Sequence, residues 1–282
     1  MSAGAVAASY VDVAAAAGTA SLTLSLTGQV VRPASGTAAL TLGATGTAAS
    51  WSATIAALTP DLWWRLGETT GATTATDSSG NGRTGTISSA PTMGVAGAVA
   101  GSDTAMTFNG TNQRINSNNT ATIWGSALSN SAGFFIKFTS TAAITVPVCV
   151  RANDGLSAGI TLQFVLNRTA GFIDVESYQA STPGSRVFST GTINDGNWHF
   201  IVGTINGTSK NLSLYVDGVL HGAIVQSGTF NTTDRQVWAG AGANGATGAN
   251  FFPGSLDEIV VDGSTEWTAT QVANMYAARL AP

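Results

Sequence analysis

Apolar and polar residues alternate along much of the second part of the chain, in short runs separated by turn residues. In LWWRL, Leu62, Trp64 and Leu66 fall on one face, and in WHFIVGT, Phe200 and Val202 share a face in the same way. A period of two residues is that of a β-strand. The runs GFFIKFTS, ITLQFVLNR, GFIDVESYQ, LSLYVDG and DEIVVDG are of the same kind. Short strands between frequent turns predict an all-β sandwich.

Two local signals add a hairpin and a helix to this picture. The sequence Val-Asp-Gly-Val at 216–219 predicts a hairpin turn, because aspartate and glycine tolerate the positive φ angles that such turns need. Near the end of the chain, TATQVANMYAARL has the spacing of an amphipathic helix, with Thr268 or Thr270 as its N-cap. The residues expected on its core side are Val272, Met275, Tyr276 and Leu280.

The first part of the chain has a different character. Residues 1–50 contain few charged or aromatic side chains, and GTASLTLSLTG at 18–28 is echoed by GTAALTLGATG at 36–46. Such small strand-like repeats cannot by themselves bury enough surface to offset the entropy of ordering. They are either a disordered leader or, as we expect, an arm that becomes ordered by pairing with neighbouring subunits. We therefore divide the chain into an extended Ala/Thr/Gly-rich β-repeat arm at 1–56 and a sandwich domain at 57–282.

Composition excludes several functions. Only 9% of the residues are charged and the net charge is -4, so the chain lacks the positive charge that nucleic-acid binding requires. No window holds about 18 consecutive apolar residues, so we expect no membrane insertion. The start of the chain has no basic region, and Asp12 interrupts its apolar run, which does not fit a secretion signal. The single cysteine, Cys149, lies in VPVCVRA and is expected to be a buried strand residue.

A glycine-rich turn, DSSGNG, follows the first predicted strand. Gly80 and Gly82 permit positive φ angles, and Asp77 and Asn81 offer the hard oxygen atoms that calcium prefers. The same two residues suit an ordinary turn in which the side chain binds the backbone. The spacing alone leaves both interpretations open.

Four stretches of the chain carry a family signature. They are PDLWWRLGETTGATTATDSSGNGRTGT, AMTFNGTNQRI, DGNWHFIVGTINGTSKNLSLYVDGVL and GSLDEIVVDGSTEWTATQVANMYAA. In this order they resemble the laminin-G-like, concanavalin-A-like jelly-roll domains, over about residues 57–282. The resemblance implies two antiparallel sheets packed face to face, with one short C-terminal helix. It also implies a frequent structural calcium site between the opening loop, where Asp77 and Asn81 match, and the closing strand, where Asp257 matches.

Several glycoside hydrolases share this sandwich, so a catalytic pair of carboxylates has to be considered. Asp174 and Glu176, in FIDVES, are two positions apart on a predicted strand and project from one face. However, Phe172 occupies the position where the hydrolases that this strand resembles carry their first glutamate, so a nucleophile is missing. Alternating carboxylates are also common on solvent-facing strands. The two histidines, His199 and His221, are expected to be structural, and we predict that the protein is not an enzyme.

The function that we expect is that of a structural or adhesion protein. The repeats, the missing export signal and the appended jelly roll resemble bacteriophage virion proteins of the tail, fibre or capsid-decoration type, which assemble in the host cytoplasm. Residues 1–56 would then contact other virion proteins, in a homo-oligomer, and the jelly roll would face outward toward host-surface glycans. The alternative is a bacterial carbohydrate-binding or cell-surface module, and a polysaccharide hydrolase or lyase is the third hypothesis.

Sugar recognition usually needs an exposed aromatic ring beside polar groups. Five aromatic residues are the candidates for glycan contact, and packing in the core or in a loop is the alternative role for each. They are Trp124, Tyr178, Trp238, Phe251 and Phe252, the last two in the loop ANFFPGS.

Overall fold

The described part of the chain folds into two antiparallel β-sheets packed face to face, with one short helix near the C-terminus, which confirms the predicted fold class. The computed structural model describes residues 49–101, 104–117, 129–141, 143–152, 160–179, 182–226, 235–242 and 248–281. The two repeats of the predicted arm lie outside the described residues.

The elements of the described residues follow one another with short connections. Helix α1 (Trp51–Ala56) is followed by strands β1 (Leu62–Trp64), β2 (Thr74–Ala75), β3 (Gly85–Ser88), β4 (Thr92–Ala96), β5 (Thr104–Asn109), β6 (Arg114–Ser117), β7 (Asn130–Lys137) and β8 (Val148–Ala152). Next come β9 (Ile160–Leu166), β10 (Ile173–Gln179), β11 (Thr182–Phe188), β12 (His199–Ile205), β13 (Asn211–Val216), β14 (Val219–Val225), β15 (Arg235–Ala239), β16 (Pro253–Asp262) and helix α2 (Ala269–Ala278).

The strands form two sheets in the described residues, which we call sheet A and sheet B. Sheet A has the order β14-β13-β12-β7-β16-β5-β4, with β1 also paired to β16. Sheet B has the order β11-β10-β9-β8-β15-β6-β3-β2. Six of the thirteen neighbouring pairs in these two orders join strands that are not consecutive in sequence, among them β7 with β16 and β8 with β15. Such crossovers are expected for a jelly roll rather than a simple meander.

The main core lies between the inner faces of the two sheets. Leu62 and Trp64 of β1 are fully buried there, as the alternating pattern predicts. Across the core, the rings of Phe134 in sheet A and Phe164 in sheet B meet edge to face, with centroids 4.8 Å apart. Gly203 of β12 leaves room for this contact, because a Cβ there would lie 2.8 Å from Cζ of Phe164.

The outer face of sheet A is covered by both helices. Trp51 of α1 packs on Phe135 and Phe200, with ring centroids 5.1 and 5.5 Å apart. Ile55, one turn further along α1, is also fully buried. Helix α1 therefore packs with the sandwich, and the side chain of its N-cap Ser50 accepts a hydrogen bond from the Ala53 amide. The predicted division at residues 56 and 57 had placed this helix in the arm.

Helix α2 was predicted correctly except at its end. Thr268 caps it in a capping box with Gln271, and Val272 and Met275 are fully buried against the outer face of sheet A. Leu280, which was expected to face the core, is 67% exposed instead. The reason is that the helix ends at Ala278, so Leu280 no longer follows the helical period.

Two smaller predictions are also confirmed. Asp217 and Gly218 have φ angles of 52° and 81° and form the turn between β13 and β14. Cys149 is a buried residue of β8. Within the described residues, neither helix is both long and apolar enough to cross a membrane.

Candidate binding site on the outer face of sheet B

A row of side chains crosses the outer face of sheet B, perpendicular to its strands. The register of adjacent strands aligns Arg186, Glu176, Gln163, Cys149, Trp238 and Asn116 in that order. Val175 and Val187, which alternate with Glu176 and Arg186, belong to the main core, so the row faces away from it. The row joins charged groups on β10 and β11 to an aromatic ring on β15.

Glu176 is the centre of a hydrogen-bond network at the β11 end of this row. Its Oε2 accepts a hydrogen bond from Nε of Arg186, and its Oε1 accepts one from Nε2 of Gln163, both at 2.7 Å. Arg168, in the turn after β9, donates Nη2 to both oxygens at 3.0 and 2.9 Å. Glu176 is 0% exposed. A buried carboxylate with three donors fixes the orientation of both guanidinium groups.

Asp174 lies beside this network on the same strand and is also buried. Nε of Arg168 is 3.5 Å from its Oδ1, and its Oδ2 has no hydrogen-bond partner among the described residues. Burial and, to a smaller extent, the nearby charge of Glu176 together raise the pKa of Asp174 from 3.8 to about 7, although Arg168 and Arg186 oppose the shift. Asp174 therefore changes its protonation state near neutral pH.

Phe188 is the exposed aromatic residue of this region. It lies on the outer face of β11, opposite Asp174 in the register and two residues after Arg186. Its side chain is 42% exposed, and those of Arg186 and Arg168 are 37% and 24% exposed. We call these three residues the Phe188 patch. They combine an accessible ring with guanidinium donors that the buried carboxylates hold in place.

Two of the aromatic residues predicted to contact glycans are buried. Trp238 shares the row but is 3% exposed, with the guanidinium carbon of Arg114 5.5 Å from its ring centroid. Phe252 is 0% exposed and packs in the main core, with its ring 6.0 Å from that of Phe138. Neither ring is open to a sugar, so the prediction is corrected for both residues.

Of the other predicted aromatic residues, Phe251 does not lie beside the Phe188 patch. Phe251 is half-buried, and its side chain and that of Arg114 both lie beside Gly248. A Cβ added to Gly248 would be 3.3 Å from Cζ of Phe251 and 3.4 Å from Cδ of Arg114. Arg114 lies on β6, at the other end of the row, five strand spacings from β11 and therefore ~24 Å away. Tyr178 lies on β10, but its side chain is outside the described part, as is the whole of Trp124.

The two carboxylates considered for hydrolysis are buried beside arginine side chains. Asp174 and Glu176 do share the outer face of sheet B, as predicted. The expectation that they are solvent-exposed was wrong, because they are 1% and 0% exposed. The donors from Arg168, Arg186 and Gln163 already occupy the Glu176 carboxylate. It is therefore not positioned to attack a sugar or to protonate one.

Two of the residues matched to a calcium site, Asp77 and Asn81, form hydrogen bonds with backbone groups around the turn. Oδ1 of Asp77 accepts hydrogen bonds from the backbone amides of Trp63 and Ser79, both at 3.0 Å. Its Oδ2 accepts from the Ser79 hydroxyl at 2.8 Å and from the Arg83 amide at 2.7 Å. Four donors around one carboxylate close the turn without a cation. Asn81 directs its amide nitrogen to the carbonyl oxygens of Pro60 and Asp61, at 3.2 and 3.1 Å.

Asp257 does not join Asp77 and Asn81. It is fully buried on β16, and its Oδ2 accepts a hydrogen bond from the Ala98 amide at 2.7 Å. No group of three or more His, Cys, Asp or Glu side chains in the described ranges is arranged to hold a metal ion. The arrangement of these residues does not fit calcium, which needs six to eight oxygen ligands. Only the family resemblance implies calcium binding.

Both histidines have hydrogen-bond partners that give them structural roles. Nδ1 of His199 is 2.8 Å from Oδ2 of Asp217, and its Nε2 is 3.1 Å from Oδ1 of Asp195. The hydrogen bond with Asp217 raises the pKa of His199, and Asp195 acts in the same direction. Burial lowers the pKa of His221, whose Nδ1 accepts a hydrogen bond from the Thr190 amide at 2.9 Å.

The structure shows site residues that the sequence patterns did not reveal. Arg186 and Phe188 lie in SRVFS, a short segment with the ordinary alternation of a strand. Arg168 lies in the turn after β9, which gives no signal of its own. The one available clue was that the outward positions of two adjacent strands, FIDVES and SRVFS, carry opposite charges.

The fold and this outer face define a lectin-like jelly-roll domain. The profile of the laminin G-like family described as the concanavalin A-like lectin/glucanases superfamily matches residues 100–273. The chain therefore belongs to this superfamily. No curated protein matches the chain significantly.

Similar solved structures include binding domains of botulinum neurotoxins. The receptor-binding domain of botulinum neurotoxin type G has a TM-score of 0.56 and 15% identity, covering 77% of this chain and 51% of that one. The binding domain of botulinum neurotoxin DC, in complex with rat synaptotagmin II, has a TM-score of 0.57 and 12% identity, covering 79% and 52%. A botulinum neurotoxin type C structure has a TM-score of 0.55 and 13% identity, covering 77% and 50%. The chain thus spans about half the length of these structures, and the similarity is one of fold.

Proposed function

We propose that this protein is a non-enzymatic glycan-binding jelly roll of a bacteriophage virion, in which the N-terminal segment before helix α1 docks into the particle and the Phe188 patch faces the host surface. The observation that carries the binding role is the exposed ring of Phe188 beside two arginines whose positions are fixed by Glu176. This arrangement supplies an aromatic surface and directional donors at one place.

The chemistry of the patch suits a sugar ring. One face of a sugar presents C–H groups, which pack on an aromatic side chain, while its hydroxyl and carboxylate oxygens accept hydrogen bonds from forked guanidinium donors. Because Glu176 already holds Arg186 and Arg168, little additional side-chain entropy is lost when a ligand binds. The absence of a free carboxylate at Glu176 supports binding without hydrolysis.

The comparisons support the fold of such a module but not its ligand. Cell entry of botulinum neurotoxin type C depends on interaction with two ganglioside molecules. At 13% identity, this similarity concerns the fold alone. The proposal for this chain therefore depends on the Phe188 patch.

The virion role is supported by the organisation of the chain. Residues 1–50 form a repetitive, weakly charged segment attached to a single packed domain. On a particle that displays many copies, weak binding at each patch would combine into tight attachment. Antibodies against the chain should therefore label purified phage particles encoded by the same genome in electron micrographs. Label on bacterial cell envelopes instead of particles would contradict the virion role.

Glycan binding is tested with the full chain on an array of bacterial and mammalian glycans. We expect wild-type protein to bind a subset of glycans and Phe188→Ala to lose about tenfold or more in affinity, which corresponds to about 1.4 kcal/mol. Leu280→Ala is the matched control, because Leu280 is an exposed apolar residue just after helix α2. That helix covers sheet A, whereas the Phe188 patch lies on sheet B. Equal binding by wild type and Phe188→Ala, or no binding by the wild type, would contradict the proposal.

A further inference from the structure

Strand β14 is an exposed and unprotected edge of sheet A. In the described residues it pairs only with β13. Its apolar side chains are unusually accessible: Val219 is 63%, Leu220 50%, Ile224 41% and Val225 66% exposed. It contains no Asp, Glu, Lys, Arg or Pro. An edge strand of this kind offers its backbone groups to another strand.

The other sheet edges of the described residues are better protected. Strand β2 has two residues, and β4 has five with a register shift between Met93 and Val95. Strand β11 carries Pro183 and Arg186, which discourage pairing. With seven residues and no charge, β14 is the edge best suited to accept a further strand.

The first repeat of the chain has the pattern of a strand that fits this edge. In residues 21–27, Leu22, Leu24 and Leu26 share one face, while serine and threonine residues share the other. Added beside β14, the leucines would continue the apolar inner face of sheet A, on which Val219 and Ile224 are left exposed. The hydroxyl residues would face outward. Neither partner carries a formal charge, so pairing buries no ion.

We propose that residues 21–27 of one copy add as a strand to the β14 edge of a neighbouring copy. Each chain then donates one strand and accepts another, a head-to-tail contact that closes into rings or continues as a chain. This inference deepens the proposed function, because it rests on the assembly role of the N-terminal segment before helix α1. It names the acceptor surface and the donor segment of that assembly.

The length of the N-terminal segment permits this exchange. The described structure begins at residue 49, just before α1, which packs on the outer face of sheet A. Residues 28–48 can extend up to ~70 Å. A domain of this size is roughly 45 Å across. The donor strand can therefore leave its own domain and reach the edge of the next one.

Two variants of the full chain test the contact, one altered in the acceptor strand and the other in the donor segment. Val225→Lys places a charge on the acceptor edge, at a position exposed enough to tolerate it, and Leu24→Asp interrupts the apolar face of the donor. Leu280→Lys is the matched control, because it puts the same charge on an equally exposed residue away from the edge. Far-ultraviolet circular dichroism establishes that each variant folds.

Size-exclusion chromatography with light scattering and hydrogen exchange read out the pairing. We expect wild type and Leu280→Lys to be oligomeric, with the amides of residues 21–27 exchanging at least about tenfold more slowly than in the blocked variants. Val225→Lys and Leu24→Asp should each be monomeric. An equimolar mixture of these two should form dimers, because one retains a donor and the other an acceptor.

Several results would overturn the inference. The first is fast exchange of the amides of residues 21–27 in the wild type, and the second is slow exchange of these amides that persists in Val225→Lys. The third is a monomeric wild type whose slow exchange at residues 21–27 is lost in Val225→Lys. The last result would mean that each chain pairs with its own edge. Failure to form dimers in the mixture would also exclude exchange between copies. None of these results affects glycan binding at Phe188, which is measured separately on the array.

Discussion

Nε of Arg186 lies 2.7 Å from Oε2 of Glu176, on the outer face of sheet B. Glu176 is completely buried, whereas the Arg186 side chain is 37% exposed, so the pair connects the interior of the site to its surface. A carboxylate in this position stabilises the fold and also determines where the guanidinium group points. The first prediction concerns both effects.

Replacing Glu176 should destabilise the protein and weaken ligand binding together. We expect Glu176→Gln to lower the free energy of unfolding by about 2–3 kcal/mol, because two arginines lose their buried counter-charge while remaining partly hydrated. Urea unfolding measures this change. Lys137→Gln, which removes one charge from an exposed residue, should change stability by no more than about 0.5 kcal/mol. Equal stability of wild type and Glu176→Gln would show that the network is not a stabilising one.

Asp174 should make stability depend on pH in an unusual direction. Its pKa rises from 3.8 to about 7 on folding, so the folded state holds a proton that the unfolded state has already released. Stability should therefore decrease as pH rises from about 4 to about 7. Asp174→Asn should flatten this part of the profile and be more stable than wild type at pH 8. Unfolding free energies at several pH values test it, and parallel profiles for wild type and variant would contradict it.

The two histidines should titrate in a defined order. The hydrogen bond with Asp217 raises the pKa of His199, and burial lowers that of His221. With two histidines in the chain, nuclear magnetic resonance can follow each imidazole separately. We expect Asp217→Asn to bring the pKa of His199 down toward 6.5 and to leave that of His221 below it.

The sign of the associated stability change also follows. Because the folded-state pKa of His199 is raised, its interaction stabilises the protein fully below pH 6.5 and is lost as pH rises through the folded-state value. Stability attributable to His199 should therefore be greater at pH 6 than at pH 9. A His199 signal that titrates below that of His221 would contradict the assignment of these partners.

Chelation of calcium should leave thermal stability unchanged. The Asp77 carboxylate already accepts four hydrogen bonds that close the turn. We expect the Tm with EDTA and with added calcium to agree within about 1 °C, whereas Asp77→Ala should lower it by several degrees. Differential scanning fluorimetry makes the comparison. A clear rise in Tm with calcium, absent in Asp77→Ala, would establish the metal site implied by the family resemblance.

Much of the fold could be predicted from the sequence because it depends on local alternation. The faces of LWWRL and WHFIVGT, the turn at Asp217 and the cap at Thr268 are each determined by neighbouring residues. Helix α1 was missed because six residues give little periodicity, and its position depends on the burial of Trp51 against two distant strands. Leu280 was misplaced because a helical period does not show where the helix stops.

The candidate site could be predicted only in part. The shared face of Asp174 and Glu176 follows from their spacing, but their burial depends on Arg168 and Arg186, which the fold brings to them. Trp238 was a reasonable choice by residue type, yet the strand register places Arg114 over its ring. Phe188 is ordinary in sequence and becomes distinctive through its exposure and its charged neighbours. Such combinations between strands are not visible along a single segment.

The most direct test of the account is to map the ligand contact by nuclear magnetic resonance. The amides of the full chain are followed while a glycan identified on the array is added. We predict that the shifts concentrate at Arg168, at residues 174–176 and at residues 185–189. Shifts that concentrate instead around Arg114 and Phe251 would place the ligand at the other end of sheet B and contradict the central claim.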